Sequence, residues 1–341
     1  MYKLRKVFEE NINKLNWDYL SQNSNAVDLL EKNLDKINLY SLSSNKNPSS
    51  IFLLKKKIRI NKLNIEQCTI KISTHIYFNY YFSGYNLRII FSDKINWLSL
   101  SKNLNAIHFL EKNLDKICWD YLSSNPNAVH LLEKNLDKVN WKSLSCNPNA
   151  IYLLEKNLDK VDWDYLSSNP NAVHLLEKNL DKVNWYYLSL NPNAIHLLEK
   201  NVDKIIWRLL SSNPNAVHLL EKNLNKVDWN ELSENTNAIH LLENNLDKIN
   251  WRYLSKNPNA IHLLEKNLDK INWNNLSLNP NAIHLLENNL DKIYWDNLSE
   301  NPNIFELDYE GLKNRMNIVK EELMQKIFHP NRVKYWLYEY E

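Results

Sequence analysis

Apolar and polar positions recur along this chain with a period of 22 residues. Tryptophans stand at 97, 119, 141, 163, 185, 207, 229, 251, 273 and 295, an unbroken series of ten units. Counting from each, Leu holds the third position, Ser the fourth, and Asn the sixth and eighth, as in Leu122, Ser123, Asn125 and Asn127. Pro fills the seventh position in eight of the ten units. Periodicity this strict overrides the two or three globular domains that 341 residues would otherwise suggest.

The pattern predicts two helices per unit. Asn125 before Pro126 marks a helix start, because the Asn side chain can accept from an unpaired amide and Pro sits where no amide partner is needed. On a helical wheel Ala128, Val129, Leu131 and Leu132 share one side, and Asn127, His130, Glu133 and Lys134 the other, which predicts an amphipathic helix of about ten residues. Asn135, tolerant of left-handed backbone, is expected to close it, with Leu136 folding back over the last turn. Asn140, Asp162 and Asn184, each just before a Trp, predict caps of a second, shorter helix, partly 3₁₀, that carries the Trp and the following Leu. Isolated helices below roughly 12 to 15 residues are marginal in water, so stacking must hold them, with Trp and Leu of one unit buried against the next. The expected fold is all-α: a right-handed helical-repeat solenoid of short two-helix units, forming a rod or arc on the order of 100 Å long. Because Val139 and Trp141 alternate with polar neighbours, a β-lined horseshoe is the competing architecture.

The ends depart from the pattern. Glu9 to Trp17 match the tail of a repeat, which reads as a lone helix capping the N-terminus; the region 1–57 then holds this cap and two repeats. The second repeat starts at Leu39 in place of Trp and is stretched by two residues. Register fails over 58–90, where Cys68, Ile70 and Ile72 would share one face of an extended chain and Gly84 would sit at a turn. A strand or hairpin and one or two decayed helical repeats both fit that stretch. Regular repeats fill 91–303, and 304–341 reads as a C-terminal helical cap through Leu312, Ile318, Leu323 and Ile327, broken at His329-Pro330 and followed by a short helix from Arg332 to Leu337.

Composition narrows the function. With 44% hydrophobic residues, 24% charged and a net charge of +2, the chain folds and is not a polyelectrolyte. There is no clustered excess of Lys and Arg, so nucleic acid is not an expected partner; Lys55-Lys56-Lys57-Ile58-Arg59 reads as a solvated face. Three cysteines without disulfide or zinc spacing point to a reducing compartment. The opening residues lack the apolar stretch of a signal peptide, and no run approaches the roughly 18 apolar residues that span a bilayer. A cytoplasmic protein without membrane partners is expected. Two glycines, beside an excess of Asn, Ile, Lys, Leu and Tyr, point to an AT-rich coding genome.

The unit NPNAIHLLEKNLDKINW, with the tail NPNIFELDYEGLKNRMNIVKEELMQKIFHPNRVKYW, resembles a family of Asn-Pro repeat proteins encoded by giant DNA viruses of the Mimivirus type. The likeness covers residues 5–54 and 91–337. It implies an α-helical repeat protein made in an infected host cell, present in its cytoplasm or in the virion, and brings no established activity with it. A weaker similarity is to the leucine-rich repeat variant solenoids, whose Asn-Pro segments also alternate a short 3₁₀ helix with an α-helix. This sequence departs from them in its 22-residue units and in the Trp of the short helix.

Candidate chemistry is sparse. Histidines at 108, 130, 174, 196, 218, 240, 262 and 284 recur at one repeat position, with Tyr152 in place of a ninth. A metal ladder fails on geometry, because units stacked about 10 Å apart cannot bring nitrogens within the roughly 2.1 Å that zinc needs. These histidines read as an exposed stripe that would gain charge together in mild acid. Paired carboxylates would need a site of their own, which a feature copied in every unit does not provide. No phosphate loop, nucleophile motif or dinucleotide fingerprint occurs. The sequence therefore predicts no enzyme, no cofactor, no metal and no small-molecule substrate.

Variation between units is more informative. It concentrates on the two residues after each Trp and on the residue two after the following Leu. Tyr121, Lys142, Tyr165, Tyr186, Tyr187, Arg208, Glu231, Arg252, Tyr253 and Asn275 are candidates for a face that binds a protein partner. Drift at tolerant positions would give the same variation. The expected function is a non-enzymatic scaffold for protein interaction; the alternative is a structural component of a virus particle or filament.

Overall fold

The structure, a computed structural model, describes residues 1–61 and 95–328. Cys68, Gly84 and the tail from Arg332 to Leu337 lie outside the described residues; of the segment 58–90, only 58–61 is described, as the end of a helix begun at 49.

Twelve units share one local fold, beginning at Trp17, Leu39, Trp97, Trp119, Trp141, Trp163, Trp185, Trp207, Trp229, Trp251, Trp273 and Trp295. In the unit from Trp163, an A helix (Trp163–Ser167) leads through the Asn-Pro turn to a B helix (Val173–Lys178). A 3₁₀ connector (Leu180–Lys182) and two extended residues then reach the next A helix. The chain is an all-α repeat solenoid. Its only strands among the described residues are β1 (Tyr2–Leu4) and β2 (Phe305–Leu307), so the β-lined horseshoe is not formed.

The A-helix cap is as expected, Asn140 accepting from Ser143 N, but the B helix is shorter than expected: Asn125 accepts from Asn127 N at 3.0 Å and caps the 3₁₀ turn Pro126–Ala128, and the α-helix proper runs over Val129–Glu133 only. Pro126 confines Asn125 to extended backbone (φ −82°, ψ 114°), the conformation an N-cap needs. Helix closure differs from expectation. No described residue has a positive φ. Asn179 ends its helix at φ −136°, ψ 49°, and its side-chain amide donates to Leu175 O at 2.9 Å, satisfying a carbonyl that the helix end leaves free. The next leucine does not fold back: Leu136, Leu158 and Leu180 are 39%, 45% and 43% exposed.

The core consists of Leu122, Ala128 and Leu132 and their equivalents, all fully buried, with Leu131 and Val139 at its margin. The indoles do not form its centre. Each Trp is partly buried against it, and a connector lysine lies over most of them, as Lys138 does over Trp119 at 5.1 Å and Lys182 over Trp163 at 4.7 Å.

A buried polar ladder joins the units. Ser145 Oγ donates to Trp141 O in its own helix and accepts from Asp162 N of the next unit at 3.0 Å. Asn147 Nδ2 donates to Ser123 O and Asn125 O of the preceding unit, both at 3.0 Å, while its Oδ1 caps Asn149 N. Both side chains are fully buried, and no buried side-chain nitrogen or oxygen among the described residues lacks a partner.

The same bonds close the row on itself. Asn16 N donates to Ser299 Oγ at 2.8 Å, and Asn23 Nδ2 donates to Ser299 O and Asn301 O at 3.0 Å, so the unit from Trp17 follows the unit from Trp295. Asn96 N to Ser43 Oγ and Asn103 Nδ2 to Asn45 O carry the ladder from the unit at Leu39 to the unit at Trp97. The twelve units therefore form a ring without a free end, not the expected rod or arc. The unit from Trp295 has no B helix of its own. After Ile304 the chain leaves as β2 and the N-terminal segment takes over: Arg5 N donates to Ile304 O, Lys6–Glu9 is the B helix, and Ile12–Lys14 is the connector. Phe8 fills the core position of the second leucine, and Lys14 lies over Trp295 at 5.0 Å. The antiparallel β1–β2 pair, with Leu4 opposite Phe305, straps the exchange. The segment read as a lone N-terminal cap thus completes the last unit. The final helix (Tyr309–Ile327), capped by Asp308, projects with Met316, Ile318, Val319 and Leu323 at least half exposed.

Replacing Asn147 by Ala leaves two buried carbonyls without donors and removes a cap, which should lower the unfolding free energy by about 2–4 kcal/mol in urea titrations followed by circular dichroism. The same change at exposed Asn171 should cost about 1 kcal/mol or less. Removing residues 1–15 strips the unit from Trp295 of its B helix. Small-angle scattering should then report a larger radius of gyration as the ring opens; an unchanged radius would show that closure does not depend on the exchanged segment.

Candidate functional site

In most neighbouring units the A helices run within 8 Å of one another, Cα to Cα, over several residues, and the B helices do not. In a closed ring the closer row lies at the smaller radius, so A helices line the inside and B helices the outside. Successive units turn by about 30°, and helix axes about 8–10 Å apart would place the inner row on a circle roughly 35 Å across. An opening on the order of 20 Å remains after subtracting the helix width.

The A helix turns Leu and Ser toward the core. The two residues after each Trp, and the residue two after the Leu, therefore face the opening, and these are the variable positions. One arc is aromatic: Lys142 Nζ lies 4.6 Å over the Tyr165 ring, Tyr165 stacks on Tyr187 at 5.4 Å, and Tyr186 meets Tyr187 edge-on at 5.4 Å. Tyr121 sits under Lys102 at 4.0 Å, and Arg208 Nε reaches Glu231 at 3.3 Å. Tyr186 and Arg252 are exposed, and Tyr253 is half-buried. Asn275 stands apart. It is 8% exposed and donates to Arg252 O at 2.7 Å, so it is a rung between units and not a contact residue. Asp120 and Asp164 also have inter-unit partners, accepting from Asn140 and Asn184. Sequence reasoning missed Tyr40 and Leu98, 61% and 41% exposed on the same row. Counting from Leu39 as though it were a Trp would have found Tyr40.

Tyr165 holds the Lys142 ammonium above its ordinary range, and charge on Tyr165 would oppose ionisation of Tyr187, whose hydroxyl is pushed up. Burial pushes the Cys146 thiol up, which disfavours the reactive thiolate. A separate hollow of about 400 Å³ opens at the seam between Tyr2, Ile12, Asp28 and Leu29, with Glu9 and Glu31 beside Lys3 and Lys32.

The histidines lie on the outer B row, and all but His108 pair with a glutamate of the preceding unit: His174 Nε2 reaches Glu155 at 2.9 Å and His196 reaches Glu177 at 2.7 Å, whereas His108 reaches Glu111 of its own unit. Tyr152 makes the equivalent bond to Glu133. Among the described residues no group of three or more His, Cys, Asp or Glu is arranged to hold a metal, and no helix is long and apolar enough to cross a membrane. Glu111 takes two of these contacts, from His130 at 2.9 Å and His108 at 3.4 Å, and their hydrogen bonds hold its carboxyl below the usual range. A depressed carboxylate stabilises the fold above its unfolded pKa, and that contribution is lost as pH falls through the lower folded value. Glu111→Gln should therefore lower Tm slightly at neutral pH and reduce its fall between neutral pH and the acid side of the carboxylate range. An identical acid profile in both proteins would remove this role.

No family model, curated protein or solved structure matches this chain.

Proposed function

We propose that this chain is a non-enzymatic scaffold that binds a protein partner on the inner face of its ring. One observation carries the reading: side chains that differ from unit to unit gather on the A-helix row, whereas the core, ladder and outer row repeat almost unchanged. Tyr165, Tyr186 and Tyr187 supply broad, rigid contact area at low entropic cost, and Lys142, Arg208 and Arg252 supply charge beside it. Asp18, Glu234, Asp296 and Glu300 are interspersed with the cations on the same row, which argues against a backbone-tracking nucleic-acid site. An opening on the order of 20 Å admits a helix, about 10–12 Å wide with its side chains, or an extended segment. A setting in the cytoplasm of an infected host cell rests on the resemblance to giant-virus repeat proteins alone.

The second reading, a component of a particle or filament, has to reckon with closure. A ring offers no free repeat end, so it could polymerise only through its rims or its projecting C-terminal helix.

Affinity capture from host cells followed by mass spectrometry, with the full chain as bait, tests the first reading. Combining Tyr165→Ala, Tyr186→Ala, Tyr187→Ala and Tyr253→Ala should reduce recovery of the captured protein about tenfold or more, since truncating an aromatic anchor costs about 1–2 kcal/mol. Equal recovery with both baits would rule out the inner face as the binding site.

A further inference from the structure

The circle of units is covalently continuous except at one place. Between Ile304 and Arg5 no peptide bond carries it, and the unit from Trp295 is assembled from two distant parts of the chain. Parting any other pair of neighbours leaves the chain itself stretched across the gap, so only at this seam can the ring open to its side. The fastening there is slight. Residues 1–15 put Leu4, Phe8 and Leu15 into the core, but Val7, at the position of buried Leu131, is only half-buried. The β1–β2 strap has three residue pairs, and its charge contacts, Lys3 to Glu306 and Arg5 to Glu287, both at 3.6 Å, are open to water, where such pairs contribute little. The outer belt fails here as well. Where His196 meets Glu177 elsewhere, the equivalent positions at the seam are Asp28 and Glu9, two carboxylates that border the hollow of about 400 Å³ together with Glu31 and Asp308. Short segments with few buried apolar side chains open at lower free energy than the body of a fold. The segment nevertheless has one defined seat to return to. Tyr2 N donates to Asp28 at 2.7 Å, and Met1 lies against Gly311, where a Cβ would come within 2.7 Å of its sulfur.

We infer that the ring is a clamp that opens reversibly between the units from Trp295 and Trp17, with residues 1–15 as its latch, and so admits an internal segment of a partner chain from the side. What enters rests on the inner-face reading; the opening itself does not. An opening on the order of 20 Å passes a helix or an extended strand, whereas a folded domain of 100 residues is about 30 Å across. A partner whose segment lies between folded domains therefore cannot thread the ring and needs the side entrance. Once the latch lifts, the bonds left to part are those of one ladder step, Asn16 N to Ser299 Oγ and Asn23 Nδ2 to Ser299 O and Asn301 O. A gap wide enough for a helix, about 10–12 Å, asks roughly 1 Å of each remaining junction.

Thiol labelling of the full chain alone tests the opening. Ser299 and Ser211 are both fully buried, and each accepts from a backbone amide of the next unit, Ser299 from Asn16 N at 2.8 Å and Ser211 from Asp228 N at 3.0 Å, but only Ser299 lies at the seam. In a background of Cys68→Ser, Cys118→Ser and Cys146→Ser, Ser299→Cys should react with Ellman's reagent about tenfold or more faster than Ser211→Cys without denaturant. Tyr2 and Leu307 form a non-hydrogen-bonded pair, since Arg5 N bonds Ile304 O, Asp308 N bonds Met1 O, and Tyr2 N is turned to Asp28. Cα atoms of such pairs stand about 4.5 Å apart, within reach of a disulfide. Oxidising the pair Tyr2→Cys and Leu307→Cys should slow labelling of Ser299→Cys to the rate of Ser211→Cys, and reduction should restore it. Equal rates at the two serines, or a rate that the disulfide leaves unchanged, would overturn the proposal. Affinity capture tests the entrance. Recovery of the protein that the wild-type bait captures should fall about tenfold or more when the Tyr2→Cys, Leu307→Cys bait is oxidised beforehand, and should be normal when it is reduced. Unchanged recovery with the oxidised bait would show entry by threading and overturn the clamp while leaving the inner face in place. The inner face fails separately, if the tyrosine substitutions leave recovery unchanged while the seam is seen to open.

Discussion

A buried asparagine side chain has to satisfy two donor hydrogens and an acceptor oxygen away from water, and Asn147 shows how this ring does it. The oxygen caps its own unit, and the two hydrogens reach two carbonyls of the unit before. No other residue can replace it. Asp lacks the donors, Gln is one methylene too long, and Ser or Thr would cap but leave the carbonyls unpaired. A group left unpaired in the core costs more than its bond contributes when made, so the ladder fixes the offset and rotation between neighbours tightly. The apolar contacts of Leu122, Ala128 and Leu132 supply most of the cohesion, but they are non-directional and would tolerate sliding that the ladder does not.

Closure follows from that precision. Twelve interfaces must each turn by about 30°, and errors at one interface would accumulate around the circle. The stretched unit from Leu39 shows what is protected. It has lost its Trp, gained two residues before its B helix and carries the segment 62–94 after it. Yet Ser43 and Asn45 still accept from Asn96 and Asn103 as their counterparts do elsewhere. Insertions are accommodated wherever they leave the ladder intact. The backbone needs no left-handed residue anywhere in the described chain, so a protein with two glycines meets no conformational obstacle in building it. A coding bias against glycine and this fold are compatible for that reason.

Much of the local structure was legible in the sequence. Period, helix starts and the exposed histidine row each follow from a residue whose side chain has one local task. What stayed hidden were tasks that cross between units. The cap role of Asn125 needs only its oxygen, so nothing in that reading called for the amide. The signal was its constancy: beside it Pro gives way to Leu104 or Thr236, but the asparagine itself is never exchanged for the Ser or Asp that would cap equally well. The indoles were over-weighted for the opposite reason, because Trp is read as core by size, whereas here a lysine stem covers it at the rim. Closure could have been anticipated from arithmetic at the ends. The chain opens with the second half of a unit, Arg5 to Leu15, and its last regular unit stops after the first half, at Ile304.

The ring therefore separates two sets of positions. Core, caps and ladder leave almost no freedom, and even on the inner row Asp120, Asp164 and Asn275 are engaged as rungs between units. What remains free is distributed unevenly around a frame that is nearly the same at every step. Lys142, Tyr165, Tyr187 and Tyr186 form one continuous arc, Arg208 and Glu231 follow it, and the units from Leu39 and Trp97 offer Tyr40 and Leu98 instead. A partner with matching twelve-fold repetition would meet equal contacts at every unit, and this lining offers none. On the reading proposed above, an asymmetric lining on a repetitive frame would suit an asymmetric partner that touches one arc strongly and the rest lightly. On such a surface a few aromatic anchors carry most of the binding energy, while the surrounding polar side chains exclude water.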